Sequence, residues 1–246
     1  MSNRIVNFVP VKQGIYEQSP TKKGDLGSVL EFEDGRKFVY SLNGSTDTLT
    51  TGAVIQGPVE ASADVGQTIP TGYSIAISDT SVTITTGAEY TANQFQDGWL
   101  VIDDGTAGKL GHCRKIKSHP AAESGASLVI TVYDAFTDTA VAGTETVSLT
   151  KNPYSGVMLQ NNATDGPLLG VAPIDVTADY YFWLQVSGPI AVIGAEASIV
   201  AGTSMTADNA AETVIMADGA NDQIIGNAMR SQADDGDAFM VFLTLR

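Results

Sequence analysis

The stretch Leu168 to Gly194, LLGVAPIDVTADYYFWLQVSGPIAVIG, constrains this chain more than any other. Four consecutive aromatics, Tyr180, Tyr181, Phe182 and Trp183, run into Leu184, Gln185 and Val186. Side chains alternate faces along a strand, so both faces of this one carry large apolar groups and both must be covered. Each fully buried ring contributes about 1.5 to 3 kcal/mol, which makes this the expected nucleus of the C-terminal core. Ser187-Gly188-Pro189 has turn chemistry, and Ile190, Val192 and Ile193 resume an apolar strand, so the segment reads as a buried hairpin.

A second stretch shares its plan. Ile224-Ile225-Gly226-Asn227-Ala228 parallels Leu168-Leu169-Gly170-Val171-Ala172: an apolar pair, Gly-x-Ala, a polar run containing Asp, then a strand. In the second copy the strand is Phe239 to Leu245, with Phe239, Val241, Leu243 and Leu245 alternating against Ala238, Met240, Phe242 and Thr244. A glycine at that place permits a bulge or close backbone approach, and the small alanine lets a neighbouring strand pack tightly. The alternative is two unrelated hairpins.

Elsewhere Thr, Val, Ile, Gly and Ala dominate in short runs between turn residues, while Lys, Arg, Glu and Leu are scarce. The expected fold is all-β: short antiparallel hairpins in small β-barrel or sandwich units, with an extended N-terminal arm. Three segments are expected: 1–57, an arm and hairpin that can pack with the C-terminal unit; 58–158, a middle β unit; and 159–246, a C-terminal barrel-like unit. Residues 1 to 27 carry Pro10, Pro20, Gly14, Gly24 and Gly27 among scattered apolar residues, and read as an arm that orders on a neighbouring subunit or as a frayed terminus. Leu30 and Phe32, then Phe38 and Tyr40, flank Asp34-Gly35, read as a type I′ hairpin turn. In the middle unit Ile75, Ile77, Val82 and Ile84 predict a hairpin across Asp79-Thr80. Thr91 to Gln96 predicts one helical turn, Leu128 to Tyr133 a strand, and Val141 to Leu149 closes the unit.

The net charge of −15 opposes sequence-independent nucleic-acid binding, because phosphates would be repelled. No apolar run approaches the roughly 18 residues of a membrane span. The opening Met-Ser-Asn-Arg lacks an apolar leader core, and the single Cys113 excludes an intrachain disulfide framework, so secretion is not expected. Beyond Lys151 only Arg230 and Arg246 stand against eleven acids, whereas Lys109, Arg114, Lys115 and Lys117 cluster. That cluster reads either as a dock for an acidic neighbour or as the solvated face of a strand with Ile116 inward.

The sequence carries no phosphate-binding glycine pattern and no Gly-x-Ser-x-Gly elbow. His112 and His119, seven apart beside Lys and Arg, make a poor metal site. Cys113 reads as a small buried hydrophobe rather than an activated thiol. Asp103-Asp104-Gly105 and Asp234-Asp235-Gly236-Asp237 raise Ca²⁺ loops or a carboxylate pair for glycoside hydrolysis, but lack the full spacing of either and read as tight turns. No catalytic residue, metal or cofactor is therefore assigned.

Three segments, GDLGSVLEFEDGRKFVYSLNG, GVAPIDVTADYYFWLQVSGPIAVIG and IIGNAMRSQADDGDAFMVFLTL, resemble the capsid decoration and other virion structural proteins of tailed bacteriophages. These share an Asp-Gly-Arg-x-Phe-x-Tyr hairpin and a terminal Gly-x-Ala, Asp-Gly-Asp, apolar strand. The likeness covers about the first 57 and last 90 residues, with 58 to 158 an added β unit. It implies a non-enzymatic protein that binds the outside of an icosahedral shell at its local symmetry axes and stabilises it against internal DNA pressure. The implied partners are the major capsid protein and two further copies in a homotrimer, with no nucleic acid or membrane, and the implied location is the virion surface after assembly in the bacterial cytoplasm. The competing class is a carbohydrate- or receptor-binding module of a head spike or tail, in which Tyr180, Tyr181 and Trp183 would stack on sugar; alternation lets at most two of them share a face. A far-UV circular dichroism spectrum should be β-dominated, and a helix content above about a quarter would overturn the fold class.

Overall fold

A computed structural model describes residues 5–7, 11–104, 111–141, 143–160, 166–208, 212–219, 222–232 and 234–246. The protein is all-β: among these residues the only helical element is one 3₁₀ turn, Ser62–Asp64. It forms two compact units, Met1–Val59 with Pro153–Arg246, and Glu60–Asn152. In chain order the first strands are β1 (Ile5–Asn7), β2 (Val29–Phe32), β3 (Lys37–Asn43) and β4 (Val54–Gln56). The second unit contributes β5 (Gln67–Thr68), β6 (Ser74–Ile75), β7 (Ser81–Thr85), β8 (Trp99–Asp104), β9 (Cys113–Ser118), β10 (Ser127–Val132), β11 (Ala140–Val141) and β12 (Thr146–Thr150). The chain then returns to the first unit with β13 (Ser155–Leu159), β14 (Leu168–Val171), β15 (Tyr181–Ile193), β16 (Ser204–Ala207), β17 (Val214–Met216), β18 (Gly226–Ala228) and β19 (Ala238–Thr244).

The expected hairpin at 187–189 is a single 13-residue strand, β15. Its first half pairs antiparallel with β3 from Tyr181↔Leu42 to Ser187↔Lys37, and its second half with β19 from Ser187↔Thr244 to Ile193↔Ala238. Ser187-Gly188-Pro189 does not reverse the chain, because Gly188 takes φ +86° beside a register shift, producing a bulge rather than a turn. A Cβ at Gly188 would stand 2.9 Å from the Arg36 Cα. The Gln185 amide donates to the carbonyls of Ser187 (3.2 Å) and Pro189 (2.9 Å), on either side of the bulge.

Two rings share this strand. Pairings β3–β13–β4–β14–β15 close back through β15–β3 into a five-stranded barrel, in which only β3–β13 is parallel. The order β15–β19–β18–β16–β17 makes the second ring, and a parallel bridge from Val214 to Gly194 brings β17 back to the end of β15. Phe182, Leu184 and Val186 fill the first ring with Val39, Ile55 and Val157. Ile190 and Val192 continue the same alternation into the second ring, against Met205, Val214, Phe239 and Val241.

The two Gly-x-Ala segments occupy matching places. Gly170 on β14 and Gly226 on β18 each lie against the strand that follows, where a Cβ would come 2.3 Å from the Gln185 carbonyl and 2.1 Å from that of Phe242. Both glycines are therefore required by close backbone approach, and the shared sequence unit corresponds to a shared strand pairing.

The outward face of β3 and β15 carries Phe38, Tyr40 and Trp183, with Leu30 and Phe32 of β2 and Val11 beside them. Tyr40 meets Trp183 edge-on at 5.2 Å and stacks on Tyr181 at 6.0 Å. The N-terminal segment covers this cluster. The Trp183 indole N–H donates to the Gln13 carbonyl (2.9 Å), the Tyr40 hydroxyl donates to Gln13 Oε1 (2.9 Å), and Ser19 and Tyr181 exchange backbone hydrogen bonds. Residues 11–27 are thus ordered on their own chain, not only on a neighbour as the arm reading expected, because an aromatic sheet face has to be covered. The β2–β3 connection also differs from a type I′ turn. Gly35 N–H donates to Phe32 O, Phe32 N–H donates to Arg36 O, and only Gly35 is left-handed, which is a three-residue loop with a glycine bulge.

In the second unit the six-stranded order is β5-β12-β8-β9-β10-β7, over a core that includes Ile84, Phe95, Leu100, Ile116, Leu128 and Ile130. The predicted 75–84 hairpin does not form: β6 pairs with β11 and β7 with β10, while Ile77 is exposed. The left-handed Ser78 lies within a turn in which the Asp79 carboxylate accepts from Ala76 N–H, and the chain leaves that turn for distant partners. Residues 91–98 are successive turns rather than a helical one, since Asn93 and Asp97 hold φ near +60°.

Trp183→Ala should lower the unfolding free energy by about 3 to 5 kcal/mol, the cost of truncating a buried large aromatic. Denaturant titration of the first unit's transition checks this, and a loss below about 1 kcal/mol would contradict the packing.

Candidate functional site

The residues with chemical potential are mostly committed to the scaffold. His119 is 4% exposed; its Nε2 accepts from the Phe95 backbone N–H (3.1 Å) and its Nδ1 lies 2.8 Å from the Pro120 carbonyl, which defines a neutral ring protonated at Nδ1. Burial holds its pKa below the ordinary 6.5, against the opposing pull of that carbonyl. His112 stands on the approach to β9, and among the described residues no three His, Cys, Asp or Glu side chains converge as a metal site. Cys113 is exposed at the start of β9, not buried as expected. An odd position beside inward Ile116 must point outward. Partial desolvation raises its thiol pKa more than Arg114 lowers it, so it is not an activated thiolate.

The acidic clusters separate into two roles. Asp103 lies on β8 and accepts from the hydroxyls of Thr146 (2.8 Å) and Ser148 on the paired β12, which makes it a cross-strand anchor. Asp104 ends that strand, and Gly105 lies outside the described residues. Asp234, Asp235 and Asp237 are exposed around Gly236, in a turn tied to the end of β15 by Gly236 N–H to Gly194 O and Gly194 N–H to Asp237 O. A depression lined by Glu89, Tyr90, Ala121, Ala122 and Glu123 has a volume of about 170 Å³, below the roughly 300 Å³ at which small-molecule sites begin.

The basic cluster is also divided. Arg114 donates to Ala135 O and the Thr137 hydroxyl and lies over the Phe136 ring, while Lys115 pairs with Asp97 at 3.4 Å. Lys117 is exposed, and Lys109 falls outside the described residues. Within the aromatic quartet Phe182 and Trp183 are at most 1% exposed, Tyr181 lies against Tyr40, and Tyr180 packs on the first ring's core. Of the three residues considered for sugar stacking, Trp183 is buried, while Tyr180 and Tyr181 are half-buried.

What the first unit does expose is an uncharged apolar face on the outside of the second ring. Three cross-strand pairs, Pro189↔Phe242, Ala191↔Met240 and Ile193↔Ala238, lie on the face of β15 and β19 opposite the core, and Met229 extends it through its bond to Met240 O. Phe242 is 41% and Met229 49% exposed. The sequence already held the signal, since both alternating sets of β19 are apolar and only one can face the ring. In a segment with eleven acids, the seven outward positions of this face are all uncharged.

Comparison with protein-family models, curated proteins and solved structures finds no match for this chain. Among the described residues no helix is long and apolar enough to cross a membrane.

The depressed His119 pKa has a defined pH consequence. Above about pH 6.5 both states hold the ring neutral and the stabilisation is complete; below it the unfolded chain gains a proton that the folded state resists, so stability falls with pH. His119→Gln, which keeps an acceptor but does not titrate, should flatten the decline in unfolding free energy between about pH 7.5 and 5.5. An unchanged slope would assign the decline to other groups.

Proposed function

We propose that this chain is a non-enzymatic virion structural protein that binds the outside of a phage capsid and stabilises it, acting as a homotrimer with the major capsid protein as its partner. The observation that carries the reading is the uncharged face of β15, β19 and β18. Such a face loses apolar surface to water until another protein surface covers it, and closed symmetric assembly of identical chains is the commonest way to do so. The resemblance to decoration proteins points the same way. Its three motifs fall on β2–β3, β14–β15 and β18–β19, which include the shared strand β15 and the strands of this face.

Assembly tests the proposal. Light scattering on the full-length protein should give three times the chain mass, and Phe242→Asp or Met240→Glu should give monomers with an unchanged circular dichroism spectrum. The trimer should co-sediment with expanded empty capsids of the encoding phage, and the monomeric variants should do so much more weakly. A full-length monomer that ignores capsids at micromolar concentration would overturn the reading and favour a receptor- or carbohydrate-binding module.

A further inference from the structure

The second unit exposes a surface of different chemistry. Trp99 of β8 pairs with Lys115 of β9, and the Tyr133 N–H donates to the Lys115 carbonyl from the end of β10. The three side chains form one row across three strands, opposite the inward Leu100, Ile116 and Val132. Trp99 is 42% and Tyr133 49% exposed. Tyr133 is held down: its hydroxyl donates to Asp97 Oδ1 (3.2 Å), and the Lys115 ammonium lies 5.6 Å from its ring centroid. Lys115 in turn pairs with Asp97 at 3.4 Å. With one face of the ring over the cation, the exposure belongs to the other face and the edge. The ring is thereby fixed as a platform before any ligand arrives, which lowers the ordering cost of binding.

We propose that this row binds a neutral oligosaccharide, with sugar rings stacked on Trp99 and Tyr133 and a hydroxyl bonded to Lys115. Three properties select that occupant. Strands about 4.8 Å apart set the two aromatics roughly 10 Å apart, a span that a trisaccharide bridges with its outer rings. The exposed halves of two aromatics amount to roughly 200 Å², given 150–250 Å² per ring, against about 800 Å² per partner in a stable protein interface, so a second copy of the chain is too large an occupant for this row. The charge at the centre is the half-exposed Lys115 ammonium, already neutralised by the buried Asp97 carboxylate, which offers donors with little net field. That complements an uncharged polyol and gives a phosphate or sulfate no free cation at the middle of the row.

The proposal stands apart from capsid attachment and is tested without capsids. Full-length protein is titrated with cellotriose, maltotriose and chitotriose, and screened on an array of neutral glycans with heparin as the charged control. Binding of at least one neutral glycan is expected, with Trp99→Ala and Tyr133→Ser each weakening it at least tenfold and Lys115→Met changing which glycan is preferred. The two aromatic variants replace exposed rings, and circular dichroism checks that each is folded. No neutral glycan bound at millimolar concentration, binding indifferent to both aromatic substitutions, or a preference for heparin would each overturn it. A change in oligomeric state in Trp99→Ala without glycan binding would instead assign the row to self-association.

Discussion

The first unit depends on one strand remaining continuous where its sequence invites a turn. β15 lends its first half to one ring and its second half to another, and the exchange of partners takes place at Ser187. A break in the ladder there would leave carbonyls without partners in a buried setting, at roughly 1 to 3 kcal/mol each. Gln185 prevents that by spanning the bulge with its amide, and left-handed Gly188 absorbs the change of direction. Because even-numbered side chains stay inward from Phe182 to Val192, one alternation fills both cores. Shifting it by one residue would turn Trp183 into the ring and Phe182 out, so the register is strongly specified.

The same strand makes the N-terminal segment necessary. Closing the first ring buries one face of β3 and β15 but leaves Tyr40 and Trp183 on the other. Two aromatics with polar tips need both apolar cover and hydrogen-bond partners. Gln13 serves both tips, through its backbone carbonyl to Trp183 and its side-chain oxygen to Tyr40. An arm of scattered apolar residues is what such a cover looks like in sequence, since it follows the sheet without a periodicity of its own.

Local alternation was the legible part of this fold. It showed that the aromatic run is buried on both faces, placed the β2–β3 hairpin, and matched the two Gly-x-Ala units. Partner choice was not legible. Ile75 and Val82 sit across a turn signal yet pair with β11 and β10, because pairings between distant segments are decided by which faces can close a core and not by the residues of the turn. Turn type was equally hidden: Asp34-Gly35 fits a two-residue turn or a three-residue loop, and a single left-handed residue separates them. The outward face of β19 was visible as apolar on both sides, but its significance required knowing that a ring fills only one of them. The Trp99, Lys115 and Tyr133 row could not be read at all, since its members are far apart in sequence and meet only through the order β8-β9-β10.

The two exposed surfaces differ in what can cover them. The face of Pro189, Ala191, Ile193, Met240 and Phe242 has almost no hydrogen-bonding side chains, so its removal from water is favourable without requiring a matched partner group. The Trp99 row is the reverse: its apolar area is small, and Lys115 would lose water bonds under any ligand that did not replace them. A flat apolar surface there would pay that desolvation without return, whereas a ring bearing hydroxyls can stack and restore the bonds together. The proposed protein contact and the proposed glycan contact thus draw on different chemistry, and they belong to separate units with separate cores.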